Sequence, residues 1–286
     1  MKKENNLFKG RSGKFLVFVL ILMLATSIEI SGSISQAYEY DEFDEPAEPD
    51  PVVFKDSQGL TYDNTIQEEG DIGVDVVWGD QDKVSGKIVV PETIKDRKTG
   101  KTYKVISADG PFNLCTKVNS VVLPKTWNEI SYRSFYGCTS LKSVTIKAKL
   151  VKYIETMAFT GCKNLTTIKN INKVKEIANR AFEGCTSLKK LKLDYVTDIG
   201  SEAFKNCKQL NSISIGKNLK VLGKNIFQGC KKLKTIVIKS TKLKKVNKKA
   251  FSGTSHKIMI KVPKKKLSAY RKMFKNTGNK KIVVTA

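Results

Sequence analysis

The chain has 286 residues, 40% hydrophobic and 28% charged, and its 52 Lys and Arg against 27 Asp and Glu give a formal net charge of +25. This is the composition of an ordinary soluble protein, long enough for one or two domains, and it excludes a chain too polar to form a core. The excess of positive charge carries information about partners rather than about the fold.

The N-terminal segment is predicted to be an export signal over residues 1–37. Five basic residues precede an uninterrupted apolar run of 11 residues, Phe15 to Ala25, and Glu29 follows it. The run is too short to span a bilayer comfortably, so an uncleaved membrane anchor is the weaker interpretation. Cleavage is expected after Ser27 or after Ala37. The mature protein is expected to be secreted or held non-covalently at the cell envelope, with membrane contact only through the signal.

Two segments of acidic character follow the signal. Residues 38–51 combine proline and carboxylates with little apolar content, which predicts a disordered linker. In residues 52–105, short alternating apolar runs separated by Gly and Asp predict an N-terminal β cap or entry segment. Residues 38–100 contain 6 basic and 17 acidic side chains, whereas residues 101–286 contain 41 basic and 8 acidic ones.

Residues 106–262 carry a sequence repeat, which is the strongest feature of the chain. Seven phenylalanines recur at spacings of 22 to 24 residues: Phe112, Phe135, Phe159, Phe182, Phe204, Phe227 and Phe251. Three residues after each of the first six stands a cysteine: Cys115, Cys138, Cys162, Cys185, Cys207 and Cys230. A Leu (Val in the first copy) follows three residues later, and then an apolar-x-apolar triplet. Among these six copies only the third departs, with Ile168 followed by Asn170.

The apolar-x-apolar triplet predicts a short strand with one buried face, because side chains alternate across a strand. Such a strand is unstable alone, but a stack of identical neighbours buries a continuous aliphatic column. The pattern therefore predicts an α/β repeat solenoid with a curved parallel sheet. After Pro263, Leu267, Tyr270 and Phe274 share one helical face and an apolar run follows, which predicts a helix-strand cap over residues 263–286.

The repeat resembles the BspA-like class of bacterial leucine-rich repeats. The segments Ala158 to Cys162, Ala181 to Cys185 and Ala203 to Cys207 match its A-F-x-x-C core most closely. The resemblance implies a leucine-rich-repeat solenoid in a secreted or surface-exposed protein, with a role in adhesion or ligand binding. It does not name a ligand.

The six cysteines are expected to form a ladder of free, buried, structural thiols. They occupy one small slot per repeat, where parallel side chains have poor disulfide geometry, and Thr254 fills the same slot after Phe251. No metal or other cofactor is expected, since there is no C-x-x-C and His256 is the single histidine. That histidine stands where no acidic residue is nearby in sequence, so we expect no enzyme and no small-molecule substrate.

Lysines alternating with the buried strand residues are expected on the concave face of the solenoid, as a candidate ligand site: Lys147, Lys169, Lys190, Lys192, Lys239 and Lys261. Few aromatics accompany them, which disfavours single-stranded nucleic acid. The leading hypothesis is a monomeric extracellular binding or adhesion module. Its partner is an anionic cell-wall or host glycan polymer, or a host or bacterial surface protein. A structural wall-associated protein held by charge and an exported nucleic-acid binder remain alternatives.

Overall fold

The structure, a computed structural model, describes residues 54–66, 72–79, 83–106, 110–147, 151–254 and 256–286. All of them belong to one compact unit that spans Asp50–Ala286. The predicted signal and acidic linker lie outside the described residues. Within the described part of the chain, no helix has the length and apolar character needed to cross a membrane.

The first strands form a mixed sheet. In chain order they are β1 (Phe54–Lys55), β2 (Leu60–Ile66), β3 (Ile72–Gly79), β4 (Gly86–Val89), β5 (Thr93–Lys95) and β6 (Thr102–Ile106). Five of them make a sheet of order β1-β2-β3-β6-β5, antiparallel except for the β3–β6 pair. Strand β4 instead pairs in parallel with the first strand of the repeats, so it leads the chain into the solenoid.

The repeats alternate a longer strand with a strand of two residues. In chain order they are β7 (Val118–Leu123), β8 (Glu129–Ile130), β9 (Ser143–Ile146), β10 (Tyr153–Ile154), β11 (Thr167–Lys169), β12 (Glu176–Ile177), β13 (Lys190–Leu193), β14 (Asp198–Ile199), β15 (Ser212–Ile215), β16 (Val221–Leu222), β17 (Thr235–Ile238), β18 (Lys245–Val246) and β19 (Ile258–Lys261). Helix α1 (Leu267–Phe274) and strand β20 (Ile282–Thr285) follow.

Each coil of the chain adds one rung to two parallel ladders. The longer strands form the ladders β4-β7-β9-β11 and β13-β15-β17-β19-β20, and the two-residue strands form a six-stranded sheet from β8 to β18. The predicted leucine-rich-repeat solenoid is confirmed. Within the described repeats the segments between strands are turns, with one 3-10 turn at Ile171–Lys173, and the α-helix comes only after the last repeat.

The core is a set of side-chain columns that run along the solenoid. The seven repeat phenylalanines are fully buried, and the ring centroids of successive residues lie 5.0 to 5.8 Å apart. The rings of the first five pairs lie in nearly parallel planes, with interplanar angles of 4° to 8°. Each stacked pair adds about 0.5–1.5 kcal/mol beyond the apolar area that it buries. The column of rings therefore adds to the stability of the stacked rungs.

The polar break at Asn170 interrupts the ladder of longer strands between β11 and β13. Asn170 adopts a left-handed conformation with φ of 66°, and its side-chain amide donates to the carbonyl oxygen of Ile146 at 2.8 Å. The 3-10 turn that follows buries Ile171, which lies 5% exposed. Asparagine tolerates this conformation better than most residues, so it keeps a rung contact while the strand stops one residue early.

The C-terminal segment packs on the last repeat. Phe274 of α1 meets the Phe251 ring edge-on at 6.0 Å between centroids. The Tyr270 hydroxyl donates to the Ser240 carbonyl oxygen and accepts from the Leu243 amide, both at 3.1 Å. Strand β20 adds to β19 in parallel register. These contacts cover the end of the aromatic column, while the stabilising role assigned to both predicted caps stays a prediction.

Candidate binding surface

The six predicted lysines are all exposed, and they occupy outward positions in or directly after the longer strands. Lys190 and Lys192 lie in β13, opposite Ser212 and Ser214 of β15. Lys261 lies in β19, in the same row as Lys192 by the strand register. These six lysines are called the strand-face lysines below.

The remaining strand-face lysines are more dispersed. Lys169 lies in β11 opposite Thr145, on the other side of the ladder interruption from β13. Lys147 and Lys239 come one residue after β9 and β17. The structure therefore brings Lys190 and Lys192 together on one strand and spreads the other four along the solenoid.

Hydroxyl side chains fill much of the same face. Serine or threonine occupies these outward strand positions: Ser120, Ser143, Thr145, Thr167, Ser212, Ser214, Thr235 and Thr285. Neighbouring strands lie about 4.8 Å apart, so hydroxyls and ammonium groups repeat at a regular interval. Such an array offers hydrogen-bond donors and point charges to the anionic oxygens of an extended ligand.

A second row of lysines lies beside the two-residue strands. Four exposed lysines stand two residues before an aliphatic residue that is buried in three of these strands and half-buried at Val246: Lys152, Lys175, Lys220 and Lys244. Their backbones form a ladder, in which the Lys175 amide donates to the Lys152 carbonyl oxygen at 2.7 Å and the Lys244 amide to that of Lys220 at 2.8 Å. Sequence reasoning missed this turn-row, although its period is visible in the sequence.

Carboxylates near the middle of the solenoid form ion pairs with Arg and Lys side chains. Arg180 and Lys205 each contact both Glu183 and Glu202, at N–O distances of 2.9 to 3.7 Å. Burial opposes ionisation of Glu202, but hydrogen bonds from Lys205 and Arg180 outweigh it and lower the pKa of that carboxyl. Asp194 lies 3.3 Å from Lys192, so one strand-face lysine is partly neutralised.

Beyond Lys205 the positive charge is uncompensated. Residues 203–286 contain 24 Lys and Arg and no Asp or Glu. Within the described residues, no ion pair involves a cation after Lys205. The C-terminal half of the solenoid therefore presents cations that no carboxylate of the described residues neutralises.

The six cysteine side chains occupy a buried position in each repeat, where their thiols face backbone carbonyl groups. All six cysteines are free and buried. From Cys138 onward each Sγ donates to the carbonyl oxygen of the phenylalanine one repeat earlier, at 2.8 to 3.2 Å. Desolvation by burial raises the pKa of the Cys185 thiol well above its ordinary value and that of Cys230 to about 12. Such thiols are poor nucleophiles, so the ladder is a structural feature.

An aromatic cluster on the first two repeat turns was not anticipated. The guanidinium carbon of Arg133 lies 5.0 Å from the ring centroid of Tyr132 and 5.2 Å from that of Tyr136. Tyr132 and the neighbouring Leu114 are exposed. Tyrosine and arginine are enriched at the centres of protein interfaces. The tyrosines on both sides of Phe135 are the sequence feature from which this cluster could have been predicted.

Across the described residues, no three or more His, Cys, Asp or Glu side chains lie close enough together to hold a metal ion. His256 contacts the Leu233 carbonyl oxygen through Nε2, in the last repeat.

Comparison with known proteins identifies the repeat. A family model for the BspA-type leucine-rich repeat region matches residues 104–196 and 192–286, with six copies. No curated protein matches the sequence significantly. A solved leucine-rich repeat protein from Bacteroides ovatus ATCC 8483 is 27% identical, with a TM-score of 0.56, over 72% of this chain and 58% of that one. The chain thus spans less than two thirds of that relative.

Two further solved structures share the fold. A leucine-rich cell surface protein from Faecalibacterium prausnitzii A2-165 is 22% identical with a TM-score of 0.51, over 75% of this chain and 71% of that one. A T. pallidum leucine-rich repeat protein is 20% identical with a TM-score of 0.58, over 79% and 99%.

Proposed function

Because this chain belongs to the BspA-type leucine-rich-repeat family, we propose that it is an extracellular or cell-surface binding module and that its ligand is an anionic polymer. One solved relative is named a cell surface protein, and the first 37 residues have the pattern of an export signal. Outside a cell the relevant polymers are wall polymers with phosphate groups, acidic polysaccharides and sulfated glycans.

The uncompensated positive charge of the C-terminal half carries this proposal. A stretch with 24 cations and no carboxylate repels itself, and it gains free energy when a polyanion replaces its diffuse counterions. The strand face adds hydroxyl rows at a fixed repeat distance, which suits an extended chain better than a compact ligand. If the polymer is part of a cell or host surface, binding to it attaches the protein to that surface.

The decisive experiment measures binding against salt. Immobilised poly(glycerol phosphate), polygalacturonate and heparin are compared with neutral dextran while NaCl is raised from about 50 to 200 mM. Four ionic contacts with a flexible polyanion predict a loss of roughly 50-fold in affinity over that range. Binding to dextran, or binding to the polyanions that ignores salt, would refute the electrostatic mechanism.

Charge reversal then tests whether the strand face is the site. Lys190→Glu, Lys192→Glu and Lys239→Glu are combined in one variant, which we expect to lose at least tenfold more affinity than a matched control. The control combines Lys175→Glu, Lys220→Glu and Lys244→Glu from the turn-row, with the same change in net charge. Both triples consist of exposed side chains, and circular dichroism checks that each variant folds.

Equal losses from the two triples would favour a different function. The turn-row shows that lysines are regularly stacked on more than one side of the solenoid, which is the arrangement expected of a wall-associated structural protein held by charge alone. A duplex DNA arm in the same assay separates the nucleic-acid alternative, because tighter binding to DNA than to every wall or host polymer would favour it.

A further inference from the structure

A cationic cavity lies at the C-terminal end of the solenoid, between the turn of the last repeat, helix α1 and strand β20. Its volume is about 870 Å³, within the range of roughly 300–1,000 Å³ typical of small-ligand sites. Five cationic side chains line it: Lys248, Lys249, Arg271, Lys275 and Lys280. None of the strand-face lysines is among its lining residues, so it is a separate feature of the surface.

No carboxylate balances these five charges. The residues that line the cavity include no Asp or Glu, and none of the five cations forms an ion pair with a described residue. Helix α1 ends beside the cavity, and its negative C-terminal dipole offsets only part of the charge. Like charges gathered around a shared space destabilise the empty protein, and a bound anion removes that cost.

The walls of the cavity are fixed by hydrogen bonds to the last repeat. The Phe251 amide donates to the Thr277 carbonyl oxygen at 2.8 Å. The buried Asn279 side-chain amide donates to Thr254 Oγ1 at 3.0 Å and to the His256 carbonyl oxygen at 2.9 Å. At Gly278, with φ of 99°, an added Cβ would lie 2.6 Å from the Ser252 nitrogen. The loop between α1 and β20 is therefore seated closely on the solenoid, which holds the backbone on this side of the cavity in place.

Arg271 gives the cavity a directional donor. Its Nε donates to the Val284 carbonyl oxygen at 3.2 Å, which orients the guanidinium, and no described residue accepts from its two terminal nitrogens. A planar guanidinium binds two oxygens of one phosphate or sulfate at once, whereas lysines add point charges around it. Ser252 and Asn276 supply further polar groups to the lining.

We propose that this cavity binds a phosphate or sulfate ester group carried by an anionic polymer. The inference rests on the proposed function for its class of ligand, and it adds a discrete site to a surface that otherwise binds by distributed charge. A sulfate or phosphate monoester presents three free oxygens to the donors that line the cavity on the turn, the helix and the terminal loop. A carboxylate presents two, so it would leave more of the five cations unmatched.

Lysine footprinting of the unmodified protein tests this without a variant. Tripolyphosphate and a sulfated disaccharide serve as probes, and acetylation of each lysine is followed by mass spectrometry. We expect Lys248, Lys249, Lys275 and Lys280 to be protected at least fivefold, while the exposed Lys257 and Lys272, which do not line the cavity, stay reactive. Protection by one probe alone identifies which ester is preferred. Equal protection of all six lysines, or protection of none, overturns the site.

A pair of variants separates this inference from the proposed function. Lys248→Gln combined with Lys280→Gln should weaken tripolyphosphate binding at least tenfold, whereas the matched Lys257→Gln and Lys272→Gln control should weaken it less than twofold. If the cavity variant keeps its affinity for tripolyphosphate while the protein binds polyanions in a salt-dependent way, the cavity proposal fails and the function stands. If the cavity is protected but no polymer binds, the polymer function fails and the oxyanion site stands.

Discussion

Individual residues in the repeat turns are constrained in two different ways. Gly184 has φ of 75°, in the left-handed region, and a methyl group there would be in ordinary contact with Gly161. Gly216 lies in the slot after β15, and a methyl group there would overlap the carbonyl oxygen of Asp194 in the neighbouring rung. Gly184 is therefore required by its backbone torsion angles, whereas Gly216 is required because no side chain fits beside the neighbouring rung.

We expect the substitution of alanine for glycine to lower the free energy of unfolding by different amounts at these two positions. Gly184→Ala should lower the free energy of unfolding by about 1–2 kcal/mol, the cost of a left-handed alanine. Gly216→Ala should cost more, about 3 kcal/mol, because backbone of the next rung must move. Urea denaturation of both variants checks the order. A Gly184→Ala variant that is the less stable of the two would contradict it.

The buried thiols predict a loss of stability at alkaline pH. In the folded protein desolvation raises the pKa of five thiols: Cys138, Cys162, Cys185, Cys207 and Cys230. Unfolded thiols ionise near pH 9, so the stabilisation is complete below that pH and is lost as pH rises above it. Each thiol contributes about 0.7 kcal/mol per pH unit to the fall at pH 9, and this slope approaches about 1.4 kcal/mol per pH unit at higher pH.

A variant with Cys185→Ala and Cys207→Ala isolates this contribution. Between about pH 9 and 10 its free energy of unfolding should fall by roughly 2 kcal/mol less than that of the unmodified protein. Urea titrations at several pH values measure the two slopes. Alkylation in denaturant without reductant should find all six thiols free in the unmodified protein. Identical slopes, or a mass that shows disulfides, would reject the free-thiol ladder.

At the scale of single elements, each rung depends mainly on its two neighbours. Strand β15 pairs with β13 and β17, and β16 pairs with β14 and β18. The stability of such an array is approximately a sum of rung and interface contributions. Loss of an interior rung is thus less damaging than exposure of a core edge.

Deletion and truncation should therefore differ in outcome. Removing residues 188–209, one complete repeat of 22 residues, joins Ser187 to Leu210 in register and should leave a soluble, cooperatively folding protein. Truncation after Gly216 exposes the aromatic column and an unpaired strand edge, and should cause aggregation or rapid proteolysis. Size-exclusion chromatography and limited proteolysis compare the two. A monomeric, protease-resistant truncation would count against the predicted C-terminal cap.

The repeat pattern was sufficient to predict the buried columns and the longer strands. Phe182, Cys185 and Leu188 occupy the slots expected of them, because burial follows directly from period and polarity. The ladder of two-residue strands was not predicted, since residues such as Tyr153 and Ile154 pair only after the rungs have stacked. The interruption at Asn170 was visible as a polar residue, but its left-handed backbone was not. The cavity depends on how the terminal loop folds back, which no local pattern encodes.

For the whole molecule, distributed charge is the dominant property. The last 84 residues carry every one of their 24 formal charges with the same sign. Repulsion among them is screened over a Debye length of about 30 Å at 0.01 M salt and about 10 Å at 0.1 M. Salt should therefore stabilise the fold, whereas it should weaken the proposed binding of a polymer.

The melting temperature in the absence of ligand tests this. Raising NaCl from about 10 to 300 mM should increase the melting temperature by a few degrees, since screening relieves repulsion between rungs that are closer than the low-salt Debye length. Sucrose at equal osmolality serves as the uncharged control, and the control triple Lys175→Glu, Lys220→Glu and Lys244→Glu should show a smaller salt effect. A melting temperature that falls with NaCl would contradict the predicted repulsion.

The interruption between β11 and β13 has a mechanical consequence. Two other columns cross the gap without a break, since Phe159 and Phe182 stack at 5.1 Å and β10 pairs with β12. The phenylalanine column and the ladder of two-residue strands therefore remain continuous where the ladder of longer strands is interrupted. Tension along the solenoid axis, as on a protein tethered to a surface in flow, is shared at this point by the aromatic column and the short strands. We therefore expect the protein to extend first at this point under tension, but to unfold cooperatively when no force is applied.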